Sequence, residues 1–367
     1  MKVYSIVLTA IFAVMMMFSF EKELNAADFS TASLNGLYKR VLLSYNNGVP
    51  VSAFANIEFD GEGNIIIEDT FSTPYGANQT RTLTGTYTVA KDGSLVFNIN
   101  GKEKVGLLHE DKASYIITDI NSSTAQMVVA GIKNGYGGYT NASLQGTYKR
   151  VLFSFANGTS RSSIADLTFD GNGNVSIEGI ASTPYGTSII SNTWTYDVAD
   201  DGSFTFNFAN GTELIGQLHD NGNSFIGSKV DINSTQVIIA GVKTGGDDFN
   251  DASFNGVYKR VVFAFHENSI SQSSIADMTF DGDGNVRMEG VWSTPYSTDN
   301  SVVEGTYAVT SDGSFSLNFG PNEIVGQLHE DTNSYITTRV DSNNTQSISI
   351  GIKYKKYKKE KKGKKEK

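Results

Sequence analysis

Hydrophobic and polar residues alternate along much of this chain with a period of two. Ala55, Ile57 and Phe59 fall on one side of a run in which Asn56 and Glu58 fall on the other. A period of two is typical of a β-strand with one buried face. No window of comparable length shows the 3.6-residue period of a helix. The pattern therefore predicts an all-β protein.

Eight β-like runs are predicted in the first third of the chain, at 38–45, 52–59, 64–71, 82–89, 94–99, 103–109, 114–119 and 126–132. The links between them are short and rich in glycine, as at 60–64 and 91–93, which favours hairpin turns. Short links between consecutive strands favour an antiparallel meander. Closing such a sheet into an up-and-down barrel removes both of its edges.

The same pattern occurs three times. The motifs that recur are GLYKRVLLSY and its variants at 36, 146 and 256, FDGxGN at 59, 169 and 280, STPY at 72, 182 and 293, and a Gly-x-Leu-His run at 106, 216 and 326. We therefore predict barrels at 27–139, 140–249 and 250–353. Each repeat contains all eight runs, so we expect 140–249 to fold cooperatively on its own.

The N-terminus has the features of an export signal. Lys2 precedes an uncharged stretch at 3–20, and Ala26 offers a small residue at the cleavage point. A signal peptide at 1–26 is therefore predicted, with a secreted, periplasmic or cell-surface location. The alternative is an uncleaved membrane anchor, which the charged flank at 21–23 disfavours. The chain contains no cysteine, which excludes disulfides and a cysteine-linked lipid.

Charge is distributed unevenly. Residues 353–367 hold ten lysines and two glutamates, a net +8, while the whole chain is −10, so the remainder carries −18. An acidic body argues against binding nucleic acid. The lysine-rich tail at 354–367 has no apolar periodicity and is expected to be disordered. It could hold the protein on an anionic envelope surface, or it could be a solvated end.

The run Leu34-x-Gly36-x-Tyr38, at the start of an eight-stranded meander, resembles the lipocalin and avidin group of barrels. That group typically opens with Gly-x-Trp, and tyrosine stands here in place of the tryptophan. The repeats also resemble uncharacterised secreted bacterial proteins with FDGxGN hairpins and a final GIK strand. The resemblance implies small-ligand binding in the barrel mouth.

Two polar motifs invite a chemical interpretation. The Asp-Gly turns could bind calcium but fit hairpins better, because Asp60 to Asn64 has glycine at positions 2 and 4 and no flanking helices. His109, His219 and His329 end the same predicted strand and are interpreted as structural residues. A metal site needs three or four converging ligands, and a hydrolase would need Ser72 and an acid beside His109. No catalytic residue, metal or cofactor is predicted, so we expect a protein that is not an enzyme.

An arginine on the first strand recurs together with a glutamate on the third. These residues are Arg40, Arg150 and Arg260 with Glu68, Glu178 and Glu289. The pairs could lie on the outer face, or the arginine could lie inside the barrel against a carboxylate. Burial slightly favours the face of Val41, Leu43 and Tyr45 as the interior. The lipocalin resemblance favours the face of Tyr38, and Val41, Leu43 and Tyr45 would then form an apolar docking stripe.

The STPY loops supply the candidate contact residues Pro74, Tyr75, Pro184, Tyr185, Pro295 and Tyr296. A rigid proline loop with an exposed tyrosine suits contact with a partner, and three copies would give avidity for a repeating extracellular polymer. The alternative is a corner that packs its tyrosine over a barrel end. The residues predicted to point inward in repeat 1 are Ile57, Phe59, Ile65, Ile67, Tyr87, Val89, Leu95, Phe97 and Ile99. Repeat 2 has the bulkier Phe204 and Phe208 in place of Leu95 and Ile99, which predicts mostly filled interiors. We therefore expect contacts on loops or outer faces, the alternative being a carrier of a small apolar ligand.

Overall fold

The structure is a computed structural model that describes residues 29–120, 125–232, 234–246, 248–266, 270–320, 322–339 and 345–354. The predicted signal peptide at 1–26 and all of the predicted tail except Tyr354 lie outside the described residues. Three short 3-10 turns are the helices found within these ranges, and none has the length or hydropathy to span a bilayer.

The described residues form three closed antiparallel barrels of eight strands each, so the predicted fold class is confirmed. Barrel 1 contains β1 Asn35–Asn46, β2 Val49–Asp60, β3 Asn64–Thr73, β4 Gly76–Val89, β5 Ser94–Ile99, β6 Lys102–Leu108, β7 Ser114–Thr118 and β8 Ala125–Lys133. Barrel 2 contains β9 Gln145–Ala156, β10 Thr159–Asp170, β11 Asn174–Thr183, β12 Gly186–Val198, β13 Ser203–Asn207, β14 Glu213–Leu218, β15 Ser224–Lys229 and β16 Thr235–Lys243. Barrel 3 contains β17 Asn255–His266, β18 Ser271–Asp281, β19 Asn285–Ser293, β20 Thr298–Val309, β21 Ser314–Phe319, β22 Asn322–Leu328, β23 Ser334–Arg339 and β24 Thr345–Lys353.

One end of each barrel is closed by a 3-10 turn that precedes the first strand. In barrel 1 the turn is Thr31–Ser33, and the fully buried Leu34 follows it into the barrel. The Tyr87 hydroxyl donates to the Leu34 carbonyl at 2.6 Å, and the Tyr38 hydroxyl donates to the Lys112 carbonyl at 2.6 Å. This is the 3-10 end. The opposite end carries the STPY loops and is called the STPY end.

Large apolar side chains form a buried cluster inside each barrel. Among the inward residues predicted for repeat 1, those that are buried are Ile57, Phe59, Ile65, Ile67, Tyr87, Val89, Leu95 and Phe97, with Ile99 half-buried. Aromatic rings meet edge to face, as between Tyr38 and Phe59 at 5.1 Å. Such pairs add about 1 kcal/mol beyond the area that they bury.

The slight preference for Val41, Leu43 and Tyr45 as the barrel interior was wrong. Tyr38 and Leu42 belong to the interior cluster of barrel 1, whereas Val41 and Leu43 belong to a different cluster. Both clusters are nearly inaccessible to solvent, so burial along β1 could not distinguish the two faces. The outward stripe is a docking surface between domains, as the alternative interpretation expected.

That second cluster is a core shared by all three barrels. It contains matching outward residues of the first strands, namely Val41, Leu43, Val151, Phe153, Phe155, Val261, Phe263 and Phe265, together with residues of neighbouring strands. At the STPY end the ring of Tyr45 lies 5.3 Å from Phe155 and 5.0 Å from Phe265, and those two rings lie 4.8 Å apart. One aromatic residue from each barrel therefore meets at a common centre.

Equivalent hydrogen bonds link the barrels in a cycle. The Ser52 hydroxyl of barrel 1 donates to the Lys229 carbonyl of barrel 2 at 2.6 Å. Ser162 of barrel 2 donates in the same way to the Arg339 carbonyl of barrel 3. Ser273 of barrel 3 donates to the Asp119 carbonyl of barrel 1, which completes the cycle. The repeats therefore form a closed ring with pseudo-threefold symmetry, not a linear row.

Candidate functional sites

Each STPY loop has a buried foot and an exposed tip. Ser72, Ser182 and Ser293 are at most 1% exposed, and the Ser72 hydroxyl donates to the Ile232 carbonyl of barrel 2 at 2.5 Å. The tyrosine that comes three residues later is 82% exposed at Tyr75, 87% at Tyr185 and 82% at Tyr296. Pro74 is exposed, and Pro184 and Pro295 are half-buried. The tyrosines therefore do not pack over the barrel ends but extend from the junctions between barrels.

The three histidines are buried at the 3-10 end. His109 and His219 share one carboxylate: Asp111 Oδ2 lies 2.7 Å from His109 Nδ1 and 2.9 Å from His219 Nε2. In barrel 3 the Nδ1 atom of His329 lies 2.8 Å from Asp331 Oδ1. The His109 and His219 pair therefore bridges barrels 1 and 2.

Burial and hydrogen bonding oppose each other at this bridge. Burial alone would raise the pKa of Asp111, but hydrogen bonds from His109 and His219 hold it well below its usual range. Burial alone would lower the pKa of His219, but hydrogen bonds to Asp111 and Asp220 raise it to about 10. His219 is therefore a buried cation paired with a carboxylate of the neighbouring barrel at neutral pH.

Ser72 and His109 do not converge. In an antiparallel meander the β3–β4 and β6–β7 connections lie at opposite ends of the barrel, and these two residues lie beside those two connections. Among the described residues, no group of three or more acidic, histidine or cysteine side chains is arranged to hold a metal ion. The arrangement of Ser72 and His109 cannot serve a hydrolase.

The FDGxGN segment is a hairpin turn held by its own aspartate. Oδ1 of Asp60 accepts hydrogen bonds from the backbone N–H groups of Glu62, Gly63 and Asn64 at 2.7 to 2.9 Å. The Asn64 side chain also donates to Asp60, and these bonds lower the pKa of Asp60 to about 2. The carboxylate is thereby used to close the turn.

Of the two alternatives for the recurring arginines, the ion pair with glutamate on the outer face is not found among the described residues, whereas Arg40 lies inside barrel 1 against a carboxylate. On β3 the residues alternate, so Glu68 is exposed and the next residue, Asp69, points inward and is 2% exposed. Asp69 contacts Arg40 inside barrel 1, and its Oδ2 accepts from Arg81 Nε at 2.9 Å. In repeats 2 and 3, Glu178 and Glu289 are likewise exposed. The sequence pattern missed Asp69 because the residue does not recur.

Repeats 2 and 3 have glycine where repeat 1 has Asp69. A Cβ atom on Gly179 would lie 2.5 Å from the Ala165 Cβ, and one on Gly290 would lie 2.4 Å from the Ala276 Cβ. Backbone and methyl group therefore exclude any side chain there. Arg150 and Arg260 are consequently buried with no carboxylate described beside them.

The contacts of these two arginines are weaker than those of Arg40. Arg150 donates to Ser163 at 2.8 Å, while its Nε has no hydrogen-bond partner in the structure. Nε of Arg260 donates to Ser349 at 2.9 Å. Burial, followed by the charge of Arg161, lowers the pKa of Arg150 to about 9.

Barrel 1 has a cavity at its STPY end. The cavity has a volume of about 230 Å³ and is lined by Arg40, Leu42, Asn46, Arg81, Leu83, Phe97, Ile99, Asn100, Lys102, Lys104, Ile117, Asp119, Ala125, Met127 and Val129. Lys104 Nζ pairs with Asp119 Oδ2 at 2.5 Å. The strand register places Leu214 and Ile324 where barrel 1 has Lys104, so a lysine at this position is specific to barrel 1.

Barrel 2 has a surface depression that sequence reasoning missed. Its volume is about 680 Å³, and Trp194 lies in it with Phe208 at a ring separation of 4.7 Å. Strand register places Gly85 and Gly305 at the position of Trp194 in the other barrels. The sequence signal for this depression was a tryptophan in repeat 2 at a position where the other two repeats have glycine.

No protein-family model matches the chain, and no curated protein matches it. Among solved structures, it is similar to transferrin-binding protein B from Haemophilus parasuis, with 8% identity over 88% of this chain and 76% of that one and a TM-score of 0.30. The same protein from Neisseria meningitidis shares 11% identity over 83% of this chain and 66% of that one, with a TM-score of 0.30. A protein of unknown function from Nostoc punctiforme shares 11% identity over 59% and 99%, with a TM-score of 0.21. No family and no function follow from likenesses at this level.

Proposed function

We propose that this is a secreted or cell-envelope, non-enzymatic binding protein whose ring of barrels presents three tyrosine loops to a repeating extracellular polymer. The observation that supports the proposal is the exposure of Tyr75, Tyr185 and Tyr296 at the same end of the ring. Tyrosine supplies a large contact area at little cost in conformational entropy, which makes it a common anchor of binding surfaces.

The ring makes the spacing of the three loops rigid. Each loop begins at a buried serine at a barrel junction, and Ser72 bonds directly to the next barrel. When several weak contacts are held at a constant spacing, binding one site raises the effective concentration at the others. A ligand that repeats along its length would therefore bind far more tightly than a single unit of it.

The test is retention on insoluble polymers, namely cellulose, chitin, peptidoglycan and mucin. We expect the wild-type protein to bind one of them, and Tyr75→Ala, the Tyr75→Ala, Tyr185→Ala pair and the triple variant with Tyr296→Ala to lose affinity in steps. Tyr136 is 91% exposed outside the STPY loops, so Tyr136→Ala is the matched control. Equal retention of the wild type and the triple variant, or retention on none of the polymers, would refute the proposal.

A second candidate function is that of a small-ligand carrier, and the cavity of barrel 1 favours it. An eight-stranded barrel can hold one small ligand, and this mouth combines apolar walls with Arg81, Lys102 and Lys104. A ligand that suits both the apolar walls and these cations is a small amphipathic anion. Titration with anilinonaphthalene sulfonate would give one saturable site that Leu83→Trp removes. Asn192→Trp, the equivalent position in barrel 2, is the control.

A further inference from the structure

Three equivalent grooves lie on the outer surface, one at each junction between barrels. Groove 1–2 has a volume of about 350 Å³ and includes Lys39 and Phe54 of barrel 1. Groove 2–3 has a volume of about 450 Å³ and includes Lys149 and Ile164 of barrel 2. The corresponding lysine at the third junction, groove 3–1, is Lys259 of barrel 3.

Groove 3–1 is filled by a tyrosine of this chain. The backbone N–H of Tyr354 donates to the Val257 carbonyl at 2.9 Å, and its ring packs against the core shared by the barrels. Lys259 Nζ lies 4.8 Å from the centre of that ring, within the range of a cation–π contact. Burial, and then a hydrogen bond with Asp277, raises the pKa of Tyr354, so the hydroxyl stays protonated beside that carboxylate.

Groove 1–2 has an aromatic ring of its own. The ring of Phe54 lies 6.0 Å from Lys39 Nζ and packs partly against the shared core. Strand register places Ile164 at the corresponding position in groove 2–3. No aromatic ring lies within cation–π range of Lys149 in the described part of the chain. Groove 2–3 therefore lacks the ring beside its lysine that both of its counterparts contain, although Phe315 also lines it.

Groove 2–3 has acidic residues at the same positions as those that surround Tyr354, although Glu289 is paired with Arg287 at 2.9 Å. Asp166 and Glu178 line it, at the positions that Asp277 and Glu289 occupy in barrel 3. Lys149 Nζ pairs with Asp166 Oδ1 at 2.5 Å, which leaves Glu178 as an uncompensated negative charge on this wall. Tyr354 is flanked in the sequence by Lys353 and Lys355. A tyrosine between lysines therefore complements the groove in both shape and charge.

We propose that groove 2–3 binds the tyrosine side chain of a basic segment from another polypeptide, in the way that groove 3–1 holds Tyr354. The ring would lie on Ile164 under Lys149, and the hydroxyl would reach Asp166. This site differs from the STPY loops in position and in chemistry, so neither proposal depends on the other.

The probe is an acetylated, amidated peptide with the sequence Ile-Lys-Tyr-Lys-Lys, which corresponds to residues 352–356. Calorimetric titration of the full chain should show one saturable site. The same peptide with alanine in place of tyrosine should have an affinity at least about tenfold lower, because the ring contact is lost. Equal binding of the two peptides would reduce the interaction to charge alone and overturn the proposal, as would no binding at millimolar peptide.

Two substitutions locate the site. Ala308 is exposed on the barrel 3 wall of groove 2–3, and Ala308→Trp should fill the groove and abolish binding. Asp197→Trp occupies the equivalent position of groove 1–2 and is the matched control. Tyr354→Ala should empty groove 3–1 and raise the stoichiometry from one to two. Binding that survives Ala308→Trp, or a stoichiometry that stays at one after Tyr354→Ala, would contradict the proposal.

Discussion

The Nε2 atom of His219 in barrel 2 lies 2.9 Å from the Oδ2 atom of Asp111 in barrel 1. This charged contact joins two repeats that the sequence describes as separate units. His109 binds the same carboxylate at 2.7 Å from its own side of the junction, and Asp220 faces the other nitrogen of His219 at 2.8 Å. We therefore expect the junction between barrels 1 and 2 to be sensitive to pH.

The His219 bridge predicts a stability difference with a defined pH window. The pKa of His219 rises from 6.5 to about 10 on folding, so its contribution is complete below pH 6.5 and is lost as the pH rises through 10. The pKa of Asp111 is lowered, so its contribution is present above about pH 4 and is lost in acid. The free energy of unfolding that His219→Gln removes should therefore be largest between about pH 4 and 6.5.

Urea unfolding of wild type and His219→Gln at pH 5.5, 8 and 10 measures this difference. The two curves should approach each other as the pH rises. His266→Gln is the control, because the hydrogen-bond partners of His266, Thr345 and Gln272, both belong to barrel 3. A difference between wild type and His219→Gln that does not change with pH would mean that the side chain acts by packing alone.

The shared core predicts how an isolated repeat behaves. Residues 140–249 contain a closed barrel with its own interior cluster, so we expect cooperative unfolding. The same fragment exposes Val151, Phe153 and Phe155, which the other barrels cover in the full chain. We therefore expect it to self-associate in analytical ultracentrifugation, and Phe153→Thr with Phe155→Thr to make it monomeric. A wild-type fragment that is monomeric at high concentration would contradict a stabilising role for this surface.

The buried arginines predict opposite effects of the same substitution. Arg40→Met leaves Asp69 buried with one of its two cations and should reduce the free energy of unfolding by about 3 kcal/mol. Arg150→Met removes a buried charge that has no carboxylate partner in the structure, and it should be neutral or stabilising by about 1 kcal/mol. Denaturant titration of the two variants measures both effects. Equal destabilisation would show that Arg150 has a counter-charge that the structure does not contain.

The lysine-rich tail predicts retention on anionic surfaces that depends on salt. Deleting 355–367 removes nine lysines while keeping Tyr354 in its groove. We expect unchanged unfolding and weaker sedimentation with vesicles that contain phosphatidylserine, the difference vanishing near 1 M salt where charges are screened. A variant with the lysines replaced by glutamine separates charge from length. Equal sedimentation of the full and truncated chains at low salt would remove the anchoring role.

The sequence alone determined the strands, their antiparallel order, the closed barrels and the repeat. Alternation such as that of Ile57 and Phe59 arises whenever one face of a strand is buried and the other is exposed to solvent. The glycine turns depend only on the local backbone conformation. The strands and turns depend on residues close together in the chain, so a periodic pattern is sufficient to predict them. Closure was predicted because an open sheet would leave two edges unpaired.

The tertiary structure alone decided which face of β1 lies inside and how the barrels are arranged. Val41 and Tyr38 are both fully buried, one by the other barrels and one by its own. A hydrophobic residue is expected to be buried, but its hydrophobicity does not say which part of the protein covers it. When both faces of a strand are buried, the sequence cannot show which face points into the barrel. The pairing of Arg40 with Asp69 and the bridge from His219 to Asp111 were hidden for a related reason. Asp69 occurs in one repeat alone, and the His219 bridge joins two different repeats. Proximity in three dimensions between residues far apart in the sequence leaves no periodic signal in the chain.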